Sequence, residues 1–316
     1  MSISEIKLVN KKNRRLNKRD VTLICMASVS LVFLLIFSYL PMAGILFAFK
    51  DGNKSLNIIN AMFEADWTLD NFKALFADKD FWAVFWNTIR INVLMLLFNF
   101  PIPIIFALLI NEVRHKQFRG TVQVLSNFPH FISWVVYGGI VIALTDANNG
   151  IVNPVLEVLG LSSKENPVDL NLAQYFYPKI IIVSIIKGTG WGSIVYTAAI
   201  AGIDQSLYEA AIIDGANRFT RARHITLPQI LPTVMVFLLL NVSKLMNNSF
   251  EQFYIFQTTA NQSTTRVLAT YMYSLGFTYR NYSTATALSL FEGVISLILL
   301  TSTNAIAKKL TGEGLY

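Results

Sequence analysis

Six apolar stretches, each long enough to cross a bilayer as a helix, constrain this chain more than any other feature. An α-helix rises 1.5 Å per residue, so about 20 apolar residues span the hydrocarbon core. Stretches of that order run over residues 21–49, 83–110, 122–144, 178–201, 229–246 and 284–307, the fifth being the shortest. Over the whole chain 53% of residues are hydrophobic and only 14% are charged, too apolar and too sparsely charged for an ordinary soluble domain. The expected fold class is therefore all-α: a polytopic membrane protein with six transmembrane helices.

The net charge of +7 would fit a nucleic-acid partner if it were spread over a soluble surface, but it is sorted along the chain. Lys7, Lys11, Lys12, Arg14, Arg15, Lys18 and Arg19 precede the first stretch, and Arg114, Lys116 and Arg119 follow the second. Arg218, Arg221 and Arg223 follow the fourth, and Lys308 and Lys309 the sixth. The positive-inside rule puts all of these clusters, and both termini, in the cytoplasm. The acidic segment 51–80 then faces outward. No nucleic-acid role is expected. The first stretch exceeds a signal-peptide core and lacks a small-residue cleavage site, so it is expected to be retained, with Pro41 ending or kinking its regular part. A single thiol, Cys25, allows no disulfide framework, and the scattered His115, His130 and His224 offer no metal site. The chain divides into a basic segment 1–20, one membrane domain over 21–307, and a tail 308–316. Outside the spans, 50–82 reads as short interfacial helices with aromatic anchors at Trp67, Phe81 and Trp82, and Val152 to Leu161 as an apolar piece on the outer surface.

Between the fourth and fifth stretches lies a loop, 203–228, with the look of a docking surface. Ser206-Leu207-Tyr208-Glu209 has the pattern of a capping box that starts a short helix, and Gly215 can take the left-handed conformation that ends one. Ala210 and Ala211 keep one face low enough for a partner's groove to close around it. Pro228 suits the first turn of the next helix. The alternative is a plain amphipathic helix lying on the membrane.

Glu209, Ala210, Ala211, Asp214, Gly215, Ala216, Ile225, Leu227 and Pro228 fall at the spacing of the EAA loop of ABC importer permeases, which this segment resembles. Phe72, Phe81-Trp82, Asn87-Thr88, Asn111-Glu112-Val113-Arg114, Phe128-Pro129-His130-Phe131-Ile132-Ser133-Trp134, Gly190-Trp191-Gly192 and the ending Gly312-Glu313-Gly314-Leu315-Tyr316 extend the resemblance to the carbohydrate-type branch. Within that branch the chain is similar to permeases that take up oligosaccharides derived from polysaccharides and complex glycans. The polar run 257–266 departs from the family pattern. The resemblance implies the type I importer permease fold, with the loop as a cytoplasmic coupling helix. It also implies a place in a bacterial cytoplasmic membrane and four kinds of partner: a second, non-identical permease, two ABC ATPase subunits, an extracellular solute-binding lipoprotein and an oligosaccharide. ATP and Mg²⁺ would be bound by the ATPase, and this chain would carry no cofactor.

The residues themselves agree that energy comes from elsewhere, since no phosphate-binding Gly-x-x-x-x-Gly-Lys-Ser/Thr loop occurs. Gly188-Thr189-Gly190-Trp191-Gly192 lies inside an apolar stretch and reads as close helix packing or room beside a pathway. Glu292 is the one acid inside a span, which leaves an enzymatic reading without a catalytic cluster. Charge near the bilayer centre costs roughly 2.5–3.5 kcal/mol on insertion scales, so Lys187 and Lys244 require a polar environment, whereas Arg90 can snorkel. Ser184, Lys187, Gly188 and Trp191 share one face of the fourth stretch, and Asn241, Lys244 and Asn248 one face of the fifth. With Ser133 and Tyr137 on the third, these stripes are expected to line a pathway that offers hydrogen bonds and an aromatic surface to sugars. The bland reading of the same residues is interhelical contact and snorkelling. A rival of another class is a secondary transporter or channel working without ATP, which would need no coupling helix.

Overall fold

The computed structural model describes residues 17–51, 65–163 and 165–311; the basic cluster from Lys7 to Arg15 and the last residues, 312–316, lie outside these. Helix α1 (Lys18–Leu34) opens with a capping box between Asn17 and Asp20. Its regular geometry ends before Pro41: a π turn over Leu35–Tyr39 and a single α turn lead into a 3-10 segment, Ala43–Phe49. Residues 20–43 are exposed throughout, so the surface of this span belongs to lipid or to another subunit. A short interfacial helix, α2 (Asp70–Ala77), precedes α3 (Lys79–Asn99), which α4 (Pro101–Asn111) continues to make the second span.

The third span is where the structure departs most from expectation. In place of one helix over 122–144 there are two, α5 (Lys116–Phe131) and α6 (Trp134–Leu144), meeting at 102°. Pro129 lies in the last turn of α5, Ile132 is extended at φ −78° and ψ 134°, and the hydroxyl of Ser133 caps α6 by accepting from the Val136 N–H. The fourth span, α7 (Phe176–Ala201), packs against α3, α4 and α5. Hydrophobic burial does not drive helices together inside lipid, so close approach must come from shape. A Cβ built on Gly190 would sit 2.2 Å from the Ser126 carbonyl oxygen of α5, and one on Gly192 would meet Pro103 of α4 at 3.1 Å. The glycine-rich segment is thus the seam on which α7 seats against its neighbours.

The loop helix is α8 (Gln205–Ile213). The fifth span starts earlier than expected: its helix begins at Arg218 behind an Asn217 cap and passes through a π turn, Ala222–Thr226, into α9 (Leu227–Ser243). Pro228 therefore stands inside a continuous span, and the widened turn before it accommodates the missing N–H. After α9 the chain breaks into short helical segments and loops through the far half of the bundle, among them α10 (Leu268–Tyr273), until α11 (Tyr282–Thr311) returns as the sixth span.

Three packed clusters hold these elements. Ile104, Ala107, Tyr196, Ile200, Ile230 and Val234 join α4, α7 and α9 at the base, the end that carries α8. Ile91, Tyr137, Val141, Ile180, Val183 and Phe253 fill the middle, and Leu75, Phe81, Val84, Leu268, Tyr271 and Leu288 the far end.

Gly190→Ala is expected to force α7 away from the α5 backbone and to lower the apparent melting temperature of the detergent-solubilised protein by several degrees. Gly188→Ala, where an added Cβ meets nothing within 4 Å, serves as the control and should melt with the wild type. Equal melting of all three proteins would show that the seam is not tight.

Candidate functional site

The break in the third span exposes the carbonyls that end α5, and in lipid these groups need donors. Lys187 supplies them. Its ammonium donates to the Pro129 carbonyl at 2.8 Å, to that of His130 at 3.2 Å and to that of Ile132, and it lies over the rings of Trp134 and Tyr137 at 5.1 and 5.2 Å. The residue is only 6% exposed. A cation on a helix C-terminus also complements the helix dipole. Lys187 is therefore a helix cap.

A cavity of about 400 Å³ opens between α3, α4, α7 and α9, in the range of small-molecule sites, roughly 300–1,000 Å³. Of the residues expected to form the pathway, Trp191, Asn241, Lys244 and Asn248 line it together. Ser133, Tyr137, Ser184, Lys187 and Gly188 do not. Ser133 caps α6, the Tyr137 hydroxyl donates to the Val183 carbonyl at 3.1 Å, and Ser184 accepts from Gln252 at 2.8 Å. Helical register could not show that the polar atoms of these residues are already engaged by protein. Asn248 is engaged too, exchanging bonds of 2.8 and 3.0 Å with Asn92, which also donates to the Leu245 carbonyl at 2.7 Å.

Lining residues that the sequence reading missed are Asn92, Asn99, Asn247 and Gln252. Asparagines recurring at 92 and 99 inside an apolar stretch were the available signal. Trp191 presents a fixed aromatic surface, because the His130 imidazole stacks on its indole at 4.5 Å and 1° between planes. Arg90 reaches the Tyr177 hydroxyl at 3.4 Å, away from the cavity.

At the base, α8 starts on Asp204 and not on Ser206. The Asp204 carboxylate accepts from the Ser206 N–H at 3.0 Å, and bonds from the backbone and side chain of Ser206 hold this acid below its ordinary pKa. The helix ends as the sequence implies: Gly215 has φ +78°, its N–H reaches the Ile212 carbonyl at 3.0 Å, and that of Ala216 reaches Ala211 at 2.8 Å, completing a Schellman motif. Tyr208 ties α8 to the bundle through Thr226, at 2.9 Å between hydroxyls. Glu209, Ala210, Asp214, Gly215, Leu227 and Pro228 are exposed, whereas Ala211, Ala216 and Ile225 are half-buried. Ile212 and Ile213 are 55% and 85% exposed beside them. Glu112, at the end of α4, lies 3.6 Å from Arg218 and 3.9 Å from Arg221, which fixes the far side of the loop.

Among the described residues, five helices long and apolar enough to cross a membrane, and a sixth if the bent pair forms one span, fit a multi-pass membrane protein with a polar cavity and a short helix at its base. The chain belongs to the family of binding-protein-dependent transport system inner membrane components, which matches it over residues 99–311. It is 41% identical to protein LplB of Bacillus subtilis over 95% of this chain and 92% of that one. It is 36% identical to the polygalacturonan/rhamnogalacturonan transport system permease protein YteP of the same organism, over 90% and 87% of the two chains. A chain of the bacterial alginate ABC transporter, solved in complex with an alginate pentasaccharide-bound periplasmic protein, superposes with a TM-score of 0.83. That match has 35% identity over 94% of this chain and 98% of that one.

Lys187→Met should remove the donors from the end of α5 at a cost on the order of 3 kcal/mol, lowering the apparent melting temperature and releasing Trp191, whose emission would shift to the red. Lys187→Arg should retain most of both properties. Wild-type stability and emission in the Met variant would refute the cap.

Proposed function

We propose that this chain is one permease of an ATP-driven oligosaccharide importer, facing a second, non-identical permease across the pathway that the cavity borders. The observation that carries the reading is α8: a short, firmly seated helix that presents apolar and acidic side chains outward from the base of a chain with no phosphate-binding loop of its own. A docked ATPase pair would supply the energy, with ATP and Mg²⁺ bound there. The positive-inside distribution puts α8 and both termini on the cytoplasmic side of the cell membrane, where such a partner resides. An extracellular solute-binding lipoprotein would deliver sugar to the opposite face; the alginate transporter was solved in complex with an alginate pentasaccharide-bound periplasmic protein. Closure of the ATPase dimer would move the docked helices together and turn the cavity from one side of the membrane to the other, a rigid-body transition. Trp191 offers the apolar face of a sugar ring a surface, and the amide of Asn247 offers its hydroxyls a partner.

Gly215→Val should uncouple the assembly. A β-branched residue at φ +78° costs roughly 1–2 kcal/mol and distorts the Schellman turn, so co-purification of the ATPase and sugar-stimulated ATP hydrolysis should both fall while the permease still inserts. Full retention of both would remove α8 from the coupling role.

Proteoliposomes give the wider test. Sugar uptake should require both permeases, the ATPase, Mg²⁺–ATP and the binding protein together. Uptake by this chain alone, driven by an ion gradient and indifferent to ATP, would instead establish the secondary-transporter reading.

A further inference from the structure

The two lysines at mid-depth have opposite fates. Lys187 is enclosed by three carbonyls and two rings. Lys244 follows the end of α9, is exposed to the cavity, and its ammonium has no hydrogen bond or ion pair among the described residues. Its depth is set by Asn92, another lining residue, which lies about 20 Å along the helix from the start of α3 and bonds to Leu245, the residue after Lys244.

Among the described residues of this chain, no carboxylate lines the cavity. The described lining residues carry one charge, that of Lys244; around it stand Asn92, Asn99, Asn241, Asn247, Asn248, Ser249 and Gln252, all neutral. Glu251 is exposed outside the lining, and Glu292 lies on α11, away from it. Several of the amides are already committed: Asn92 and Asn248 to each other, Gln252 to Ser184, and the Asn241 amide to the Phe237 carbonyl. A cation left unpaired in a membrane is costly, and an anion entering the cavity would offset that cost. The same charge attracts acids and disfavours cations without discriminating among neutral sugars.

We infer that Lys244 makes this pathway selective for acidic oligosaccharides, chains whose sugars carry a carboxylate or a sulfate. The inference rests on the importer reading above and narrows its substrate. A single ammonium matches one singly charged acid group; a phosphate dianion would call for further cations that the lining lacks. Trp191 would hold the ring of that sugar while Lys244 pairs with its acid group.

The test uses the complete assembly of both permeases, ATPase and binding protein in proteoliposomes, with three labelled probes: uronic-acid tetrasaccharides, the same chains after carboxyl reduction, and sulfated tetrasaccharides. Wild type should take up an acidic probe under ATP at least about tenfold faster than the reduced one. Lys244→Gln should lose about tenfold of the acidic uptake at sub-saturating sugar, bringing the two rates together, whereas Lys244→Arg should keep most of the preference. Co-purification of both variants with their partners establishes that they assemble. Because the binding protein is the same throughout, a changed ratio belongs to the permease. Uptake of the uronate probe supports a carboxylate as the acid, and uptake of the sulfated probe alone supports a sulfate. An unchanged ratio in Lys244→Gln, or equal wild-type uptake of acidic and reduced chains, overturns the inference and leaves the importer reading standing. ATP-independent uptake, or no ATP-driven uptake of any saccharide, overturns both.

Discussion

The carbonyls at the end of α5 need hydrogen bonds that lipid cannot supply, and the Lys187 ammonium answers that need from the neighbouring span. Much of the middle of the molecule depends on this contact. The 102° break turns α6 away, so that Tyr137 and Val141 pack into the middle core, while α5 remains close enough to α7 for Gly190 to abut the Ser126 backbone. His130, one of the carbonyl acceptors, stacks on Trp191 and so links the cap to the cavity wall. A continuous third helix would have no free carbonyls to cap and would leave the lysine without these acceptors.

The same requirement explains part of the polar run 257–266. Between α9 and α11 the chain is broken into short helical segments and loops within the far half of the bundle, where unpaired backbone is costly. Asn87 donates to the carbonyls of Thr264 and Arg266, each at 2.8 Å. Buried Asn261 donates to Asn171 and Phe256 at 2.9 Å and accepts from the Thr258 N–H at 2.8 Å. Part of the polarity of this segment is thus internal: Asn261, Thr264 and Thr265 complete backbone hydrogen bonds, while Thr258, Thr259, Gln262 and Ser263 are exposed. Some polar groups, such as Lys187 and Asn261, are engaged by backbone and shape the protein, while Lys244 and Asn247 face the cavity.

At the base the logic is mechanical. A docking helix can transmit force only if it is fixed to the spans it must move. Tyr208 and Thr226 anchor α8 from one side, the Schellman turn sets its exit, and Glu112 with Arg218 and Arg221 ties the following helix to α4. Exposed Ile212 and Ile213 then stand on a rigid mount.

Sequence alone determined the class of fold, the positions of the six spans to within a few residues at most ends, the loop between the fourth and fifth, and the left-handed residue at Gly215. These follow from local rules: apolar length, residue size and backbone freedom act over a turn or two of helix and need no distant partner. The start of the fifth span was misplaced because its first turns are basic and amphipathic, with Arg218, Arg221 and Arg223 masking the helical continuity. Assignments to the pathway depended on more than register. Lys187 and Lys244 look alike in sequence, each a cation within an apolar stretch beside other polar residues. Only the tertiary structure decided that one caps a broken helix while the other faces a cavity, because the break at Ile132 and Ser133 brings free carbonyls within reach of the first lysine and none within reach of the second.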